Sequence, residues 1–400
     1  MAKNIITGID AGTSTIKVIV SEQKKNGQIE VLGTGKKISH GIRKGYVANY
    51  EDAAEAIKSA IKSAEKMAGV QIKHAYITVG GIILGSVRSK GSVMISRADG
   101  EVTDYDVKRV ISQAEENLKN ISNKRVIKSF PINFKIDGNL AFGKPVGMKG
   151  TKLEAEVLFI TCLNQHLMDL IRAVESAGVA VDDVVASPLA ASFVALNKHQ
   201  KEVGCVLANI GAGTVSIMVF EEGKPISLEV FPIGSTHITN DIALGLQITL
   251  EEAEKIKIGY GSKSNYSKRK LSDIIEARLK DIFELIESHL KKINRNGLLP
   301  AGIILTGGGS SLLTLDEIAK ASLRLPATVG SPAQIKDKIV LKKQVREDLF
   351  NNPEWSVALG LCAMKFKEEK TEGAYGIKLQ GKFILQIAKS LKKWFSQFLP

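Results

Sequence analysis

Apolar positions along the chain change their period several times, and the changes divide it. Ile5, Ile6 and Ile9, followed by Ile16 to Val20, predict two strands around a glycine turn, the start of a β-meander over residues 4–35. Over residues 51–68 the period becomes helical, with Ile57, Ile61, Ala64 and Met67 on one inward face. A strand at 75–79 ends at Gly80-Gly81. From there the order is strand (92–96), helix (104–118), strand (125–136) and strand (154–161), with turns at Asp137-Gly138-Asn139 and Gly147 to Gly150. This β–α–β–β block, residues 84–161, reads as an inserted subdomain with its own core.

A helix is expected over 165–177, and Ala186 to Ser192 begin another that is rich in small residues. A matching small-residue stretch at 353–364 carries Ser356, Ala358, Gly360 and Ala363, which suits either a close helix crossing or simple packing. Strand 225–231, helices 235–246 and 249–258, a polar loop at 260–270 and a long helix at 271–293 follow. The long helix turns Ile274, Ile275, Ile282, Leu285, Ile286 and Ile293 inward.

The first turn, Gly8-Ile9-Asp10-Ala11-Gly12-Thr13-Ser14-Thr15-Ile16-Lys17, concentrates a carboxylate, two glycines, three hydroxyls and an ammonium. Glycines let backbone N–H groups approach an anion. Asp10 is placed to hold a water on Mg2+, a metal that keeps most of its hydration beside phosphates. An ordinary hairpin would use the same glycines and threonines for turn geometry alone. About 200 residues later the pattern recurs as Val206-Leu207-Ala208-Asn209-Ile210-Gly211-Ala212-Gly213-Thr214-Val215-Ser216. The repeat is too long for a solenoid and occurs twice, which predicts two similar lobes gripping one polyphosphate. A third glycine turn, Thr306-Gly307-Gly308-Gly309, follows the strand Ile303-Ile304-Leu305 and is expected to bring a helix N-terminus to a nucleoside.

These three turns, in this order, resemble the actin-like ATPase superfamily over nearly all of residues 5–366. No Gly-x4-Gly-Lys-Ser/Thr motif is present, which argues against a P-loop fold. The resemblance implies an α/β fold of two duplicated lobes around a nucleotide cleft, with ATP and Mg2+ as cofactors. Gly12, Thr13, Ser14, Thr15 and Lys17 then form the first phosphate loop, and Asn209, Gly211, Ala212, Gly213 and Thr214 the second. Gly307, Gly308 and Gly309 form the adenosine motif. Glu254 and Lys257, three apart on one helix face, match positions that approach the ribose; a plain surface ion pair would have the same spacing.

The position of the insert is similar to that in the FtsA family of division proteins and in PilM-like adaptors of type IV pilus machinery. Gly41-Ile42-Arg43-Lys44-Gly45 and Val157-Leu158-Phe159-Ile160-Thr161-Cys162 agree with this placement. The expected division is a first lobe at 1–198 containing the insert, a second lobe at 199–366, a linker at 367–380 and a terminal helix at 381–400. In FtsA the outer part of the second lobe receives the C-terminal peptide of FtsZ, and Glu276-Ala277-Arg278 matches a segment implicated there, so Arg278 is the expected contact. The resemblance further implies head-to-tail polymers, other division proteins as partners and residence on the inner face of the cell membrane. One departure stands out. The family's second loop has Asp at the positions of Asn209 and Ser216, so nucleotide binding with slow or absent hydrolysis is expected.

Composition changes the picture mainly at the C-terminus. Net charge is +13, yet the basic residues are scattered, with clusters at Lys268-Arg269-Lys270 and Lys291-Lys292 that no aromatics interleave, so nucleic acid is not an expected partner. Cys162, Cys205 and Cys362 and the six histidines are too dispersed for a metal site, and the cysteines read as reduced core residues. No secretory leader or membrane-spanning run is recognisable. At about 100° per residue, Phe383, Ile384, Ile387, Ala388, Leu391, Trp394, Phe395, Phe398 and Leu399 share one half of a helical wheel. Lys382, Lys389, Lys392 and Lys393 share the other with Gln and Ser, Leu385 being the apolar exception, and no acid follows Glu372. Such a helix suits an anionic membrane surface. A helix docked on the body would explain the apolar face but not the basic one. The tail favours FtsA over the PilM-like alternative.

Overall fold

The structure, a computed structural model, describes residues 5–119, 121–259 and 266–370, with side chains through Phe366. Three antiparallel strands open the chain: β1 (Ile5–Ala11), β2 (Thr15–Gln23) and β3 (Ile29–Ile38). A two-residue ladder, β4 (Ile42–Arg43) with β5 (Tyr46–Val47), leads to helix α1 (Tyr50–Ala68) and strand β6 (His74–Val79). Asn49 caps α1 by accepting from the Glu51 and Asp52 amides, and Gly69 ends it in the left-handed region. The small residues Ala60 and Ala64 let β3 lie close; a Cβ on Gly35 would fall 2.1 Å from the Ala60 oxygen. Met67, expected inward, is half-buried.

The insert comprises β7 (Leu84–Met94), α2 (Asp104–Glu116), β8 (Lys124–Ile136), β9 (Asn139–Ala141) and β10 (Lys152–Leu163), in the sheet order β7-β10-β8-β9. It has a core of its own, in which Val107, Val110 and Ile111 of α2 meet Phe134, Val157 and Phe159. Strand β7 begins at Leu84 rather than at 92. Its first half is Gly- and Ser-rich with Arg88 and Lys90, so it lacks the apolar alternation that marks a strand in sequence.

Helix α3 (Asn164–Glu175), β11 (Ala180–Ala186) and α4 (Ser187–Ala195) complete the run of the first lobe, and α5 (Lys198–Val203) leads into the second. There β12 (Cys205–Ile210), β13 (Val215–Glu221) and β14 (Lys224–Phe231) precede α6 (Ser235–Leu246), α7 (Leu250–Ile258) and α8 (Lys268–Lys292). Strand β15 (Ile303–Thr306), α9 (Leu315–Leu323) and β16 (Ala327–Val329) follow. The α8 stripe is Leu271, Ile275, Leu279, Ile282, Phe283, Ile286 and Leu290. Leu285, expected inward, is 38% exposed, because it lies beyond the edge of that stripe.

The two sheets repeat one topology. β11-β6-β1-β2-β3 in the first lobe corresponds to β16-β15-β12-β13-β14 in the second, with the same parallel and antiparallel pairings. The first sheet gains a sixth strand, β17 (Ile339–Leu341), parallel to β3. Together with α10 (Asp348–Asn351) and α11 (Ser356–Lys370), this corrects the expected second lobe of 199–366. Its final part belongs to the first lobe: Ile339, Leu349, Phe350, Trp355 and Leu359 share a buried cluster with Ile6, Ile19 and Val31. The small residues of α4 and α11 do make a close crossing, since a Cβ on Gly360 would lie 2.0 Å from the Ala190 oxygen. Helix α11 also runs to Lys370, into the stretch expected as linker. Residues 371–400, with every side chain of the expected terminal helix, lie outside the described residues, as do 260–265 of the polar loop.

Candidate functional site: two glycine hairpins and a polar row

Strand register assembles the first half of the site. Asp10 of β1 lies opposite Lys17 of β2 and beside Thr78 of β6, and Lys17 lies opposite Lys36 of β3. Register partners project from the same face of a sheet, so Thr78, Asp10, Lys17 and Lys36 form one polar row across four strands. The Thr78 hydroxyl donates to Asp10 Oδ1 at 2.9 Å, and Lys17 Nζ donates to the turn hydroxyl of Thr15 at 2.7 Å. Lys36 Nζ donates to both oxygens of Glu354, at 2.7 and 2.8 Å. Lys17 is 7% exposed. Burial pushes Asp10 up and Lys17 down, against their mutual attraction, which favours the charged forms. An anion arriving at this turn would add to that attraction and favour the charged ammonium.

The second lobe builds the same row without charge. Asn209 lies opposite Ser216 and beside Thr306, and Ser216 lies opposite Val230. Thus Thr306, Asn209, Ser216 and Val230 stand where the first lobe has Thr78, Asp10, Lys17 and Lys36. Thr306 donates to the Ser356 hydroxyl at 2.9 Å, which ties this row to α11.

The two hairpins meet tip to tip. A Cβ on Gly213 would lie 3.2 Å from Thr13 Cγ2 and 3.7 Å from Lys44 Cα. Each turn closes on itself in the same way, Gly12 N–H donating to the Thr15 carbonyl at 3.2 Å and Gly211 N–H to the Thr214 carbonyl at 2.9 Å. The amides of these two glycines are therefore spent within their turns rather than turned outward. Gly8 is also accounted for by packing: a Cβ there would meet the Ala358 oxygen at 2.9 Å and Cys362 Sγ at 3.0 Å. Gly307 has φ +88°, and a Cβ on it would fall 2.3 Å from Asn209 Oδ1; one on Gly309 would fall 2.5 Å from Ile210 Cγ2. Gly308 is open, its nearest neighbour being Glu354 Cβ at 3.9 Å. The third turn leads into a four-residue 3-10 segment, Gly308–Ser311, and not into the N-terminus of an α-helix.

Glu254 and Lys257 do more than pair on a surface. Lys257, 7% exposed, donates to Glu254 Oε2 at 2.6 Å, the Thr239 hydroxyl at 2.8 Å and the Ser235 carbonyl at 3.2 Å. Thr239 in turn donates to Glu254 Oε2 at 2.5 Å. The start of α6 hangs on the second hairpin, since Ser235 N–H donates to the Gly211 carbonyl and Thr236 N–H to the Ala212 carbonyl, both at 2.9 Å. The α7 pair is thereby linked to that hairpin. Thr78, Lys36, Glu354, Thr239 and Ser235 were not evident as site residues in the sequence. Only Thr78 had a local signal, its position just before Gly80-Gly81 at a strand end.

Arg278 holds Asp241 in a fork, Nε to Oδ2 at 2.6 Å and Nη2 to Oδ1 at 3.0 Å, and Nη1 donates to Asp281 at 3.0 Å. Its charge is matched within the chain. The three cysteines are free and buried, and burial pushes Cys162 and Cys205 up to about 12 and Cys362 to about 11. Among the described residues no cluster of His, Cys, Asp or Glu is arranged to hold a metal ion, and no helix is long and apolar enough to cross a membrane.

Against known proteins, the family model of the cell division protein FtsA matches residues 206–360, and that of the SHS2 domain inserted in FtsA matches 81–161. The chain is 31% identical to the cell division protein FtsA of Borreliella burgdorferi, over 99% of both chains. It is 32% identical to that of Pseudomonas aeruginosa, over 89% of this chain and 88% of the relative, and 27% identical to that of Escherichia coli, over 90% of each. Among solved structures, the fold is similar to the PilM-PilN type IV pilus biogenesis complex (TM-score 0.68, 18% identity, 90% of this chain and 98% of that one). It is also similar to MreB5 of Spiroplasma citri bound to ADP (TM-score 0.53, 12% identity, 92% and 99%). The α/β, actin-like character expected from the three turns is borne out.

Proposed function

Because this chain belongs to the FtsA family of cell division proteins, we propose that it binds ATP between its lobes, assembles head to tail on the inner face of the cell membrane, and ties FtsZ filaments to it. The observation that carries the nucleotide part is the meeting of two glycine hairpins beside a buried lysine. Thr13, Ser14, Thr15 and Lys17 would take the polyphosphate from one side, and Gly211, Ala212, Gly213 and Thr214 from the other. Glycine at 12, 211 and 213 keeps the turns tight enough for both to reach it. Gly307, Gly308 and Gly309 would flank the nucleoside, with Glu254 and Lys257 at the ribose. Asp10 would hold a water on Mg2+, whose contribution when bound is to neutralise phosphate charge.

The second lobe offers that metal no charge: Asn209 accepts a hydrogen bond, carries no charge and takes no proton from water. Nucleotide would then act by biasing lobe closure, with hydrolysis slow or absent. Asn209→Asp is expected to raise ATP turnover at least several-fold over the parent chain in a phosphate-release assay; brisk turnover by the parent itself would contradict the assignment.

The proposed membrane residence rests on the apolar and lysine faces that 381–400 would present as a helix. One such helix binds reversibly, and a polymer multiplies the attachment. The fold likeness to PilM supports a pilus adaptor less than relatives about 30% identical over most of the chain support division. The tethering experiment is direct. Anionic vesicles should recruit FtsZ filaments only when this chain is added, and removal of the FtsZ C-terminal peptide should abolish recruitment. Arg278→Glu, which sets three carboxylates together, should weaken recruitment by about tenfold or more, since lost charge-assisted bonds and like-charge repulsion act together. Vesicles that recruit no FtsZ with the parent chain would sink the proposal.

A further inference from the structure

The insert is not confined to the first lobe. Its strand β7 lies at one edge of its sheet, and β14 lies at one edge of the second-lobe sheet. An exposed edge leaves backbone N–H and C=O groups without partners. Here the side chains of β7 supply them. Ser86 Oγ donates to the Leu228 carbonyl at 2.8 Å and accepts from the Leu228 amide at 3.0 Å. Arg88 donates to the Ile226 carbonyl twice, from Nη2 at 2.7 Å and from Nε at 3.2 Å, while its Nη1 lies 3.6 Å from Glu156. In the opposite sense, Lys224 Nζ donates to the Ile132 carbonyl of β8 at 3.2 Å. Beneath these bonds Leu228 and Val230 share a buried apolar cluster with Leu84 and Ile160.

Two features make this contact more than packing. The first is that β7 and β14 do not pair backbone to backbone, so the insert and second lobe are not one continuous sheet. A few side-chain bonds separate them and release without breaking a ladder. The second is where the two strands lead. Ser86 follows Thr78, the partner of Asp10, through the Gly80-Gly81 link, and that link presses on the β4–β5 hairpin: a Cβ on Gly81 would lie 2.0 Å from the Lys44 oxygen. Lys44 is the residue whose Cα stands beside Gly213 at the hairpin tips. On the other side, β14 runs directly to Gly234 and Ser235, which sit on the carbonyls of the second hairpin. Each half of the contact is thus one short step from one of the two hairpins.

We propose that Ser86 and Arg88 form a releasable clasp by which the insert holds the two lobes closed over the paired hairpins, and so sets how quickly a nucleotide leaves. The statement about nucleotide release rests on the ATP-binding reading; the clasp itself does not. Interlobe distance tests it in the full chain without ligand. Spin labels on Glu55→Cys of α1 and Lys255→Cys of α7, both exposed, span the lobes, and the three native cysteines are buried. The parent is expected to give one narrow distance distribution. Ser86→Ala with Arg88→Ala should add a longer population, and Arg88→Lys, which keeps a single donor nitrogen in place of two, should fall between them. If the double variant melts below the working temperature, Ser86→Ala alone, the loss of one hydroxyl, carries the same readout. Release of a fluorescent ATP analogue should accelerate about fivefold or more in the same variants. Unchanged distances overturn the clasp, whether or not release changes. Longer distances with unchanged release overturn its control of nucleotide exit. A parent chain that binds no analogue refutes the ATP reading and leaves the distances to judge the clasp.

Discussion

A chain ending at Glu372 is expected to stay at the bottom of a flotation gradient in which anionic vesicles carry the full-length chain to the top. The prediction follows from the last stretch of sequence. Wound as the expected helix, Phe383, Ile384, Ile387, Leu391, Trp394, Phe395 and Phe398 would give an apolar face, with Lys389, Lys392 and Lys393 opposite it. Each lysine near an anionic surface contributes about 1 kcal/mol, an attraction that falls within a Debye length. Binding should therefore weaken as salt rises and on vesicles of neutral lipid, while the apolar face gives a residual attachment. If the tail instead docks on the body, truncation would leave flotation unchanged. Equal flotation of the two chains removes the tether from the account.

The second large effect concerns Lys17. A charge pair at 4 Å is worth ~4 kcal/mol at an effective dielectric of 20, so Lys17→Met, which keeps most of the apolar stem without the charge, should weaken ATP binding by about 100-fold or more. Ser216→Ala, at the matching position of the other lobe, should change it by less than about threefold, because that row carries no charge in the parent. The comparison separates the account from a simple pair of glycine hairpins, which predicts equal and small effects. Lys17→Met also leaves Asp10 without its cross-strand partner. Thermal melts of the variant in the absence of nucleotide show how far lost stability contributes.

The features legible in the sequence are those written in neighbouring residues. Three apolar strands each ending in glycine, the helical stripe of α1 and the β–α–β–β order of the insert all depend on neighbours a few residues apart. What could not be read depends on pairings between distant strands. Thr78 reaches Asp10 only because β6 lies parallel to β1, and Lys36 joins the row only because β3 sets it opposite Lys17. Glycine marks close approach without saying to what. Gly8, expected near an anion, lies against α11, and Gly307, expected near a nucleoside, lies against Asn209. The return of β17 and α11 to the first lobe was hidden for a similar reason. A three-residue strand and a helix of small residues look the same in sequence whichever lobe receives them.

The duplicated topology gives one lobe a charged row and the other a neutral copy of it, and the same asymmetry orders the proposed chemistry. Phosphate attraction would come from Lys17 in the first lobe. The second would contribute shape and hydrogen bonds from Asn209, Ser216 and its hairpin. Under the proposed function, such a site would retain nucleotide more readily than hydrolyse it, keeping the lobes closed in the proposed polymer.

The nucleotide is expected to lie between Thr13 and Gly213. A crystal structure grown with Mg2+ and a non-hydrolysable ATP analogue tests this most directly. The predicted result is polyphosphate density between the two hairpins, with Lys17 Nζ within hydrogen-bond distance of it and a hydrated metal near Asp10. Analogue bound elsewhere on the molecule, or none bound in its excess, would contradict it.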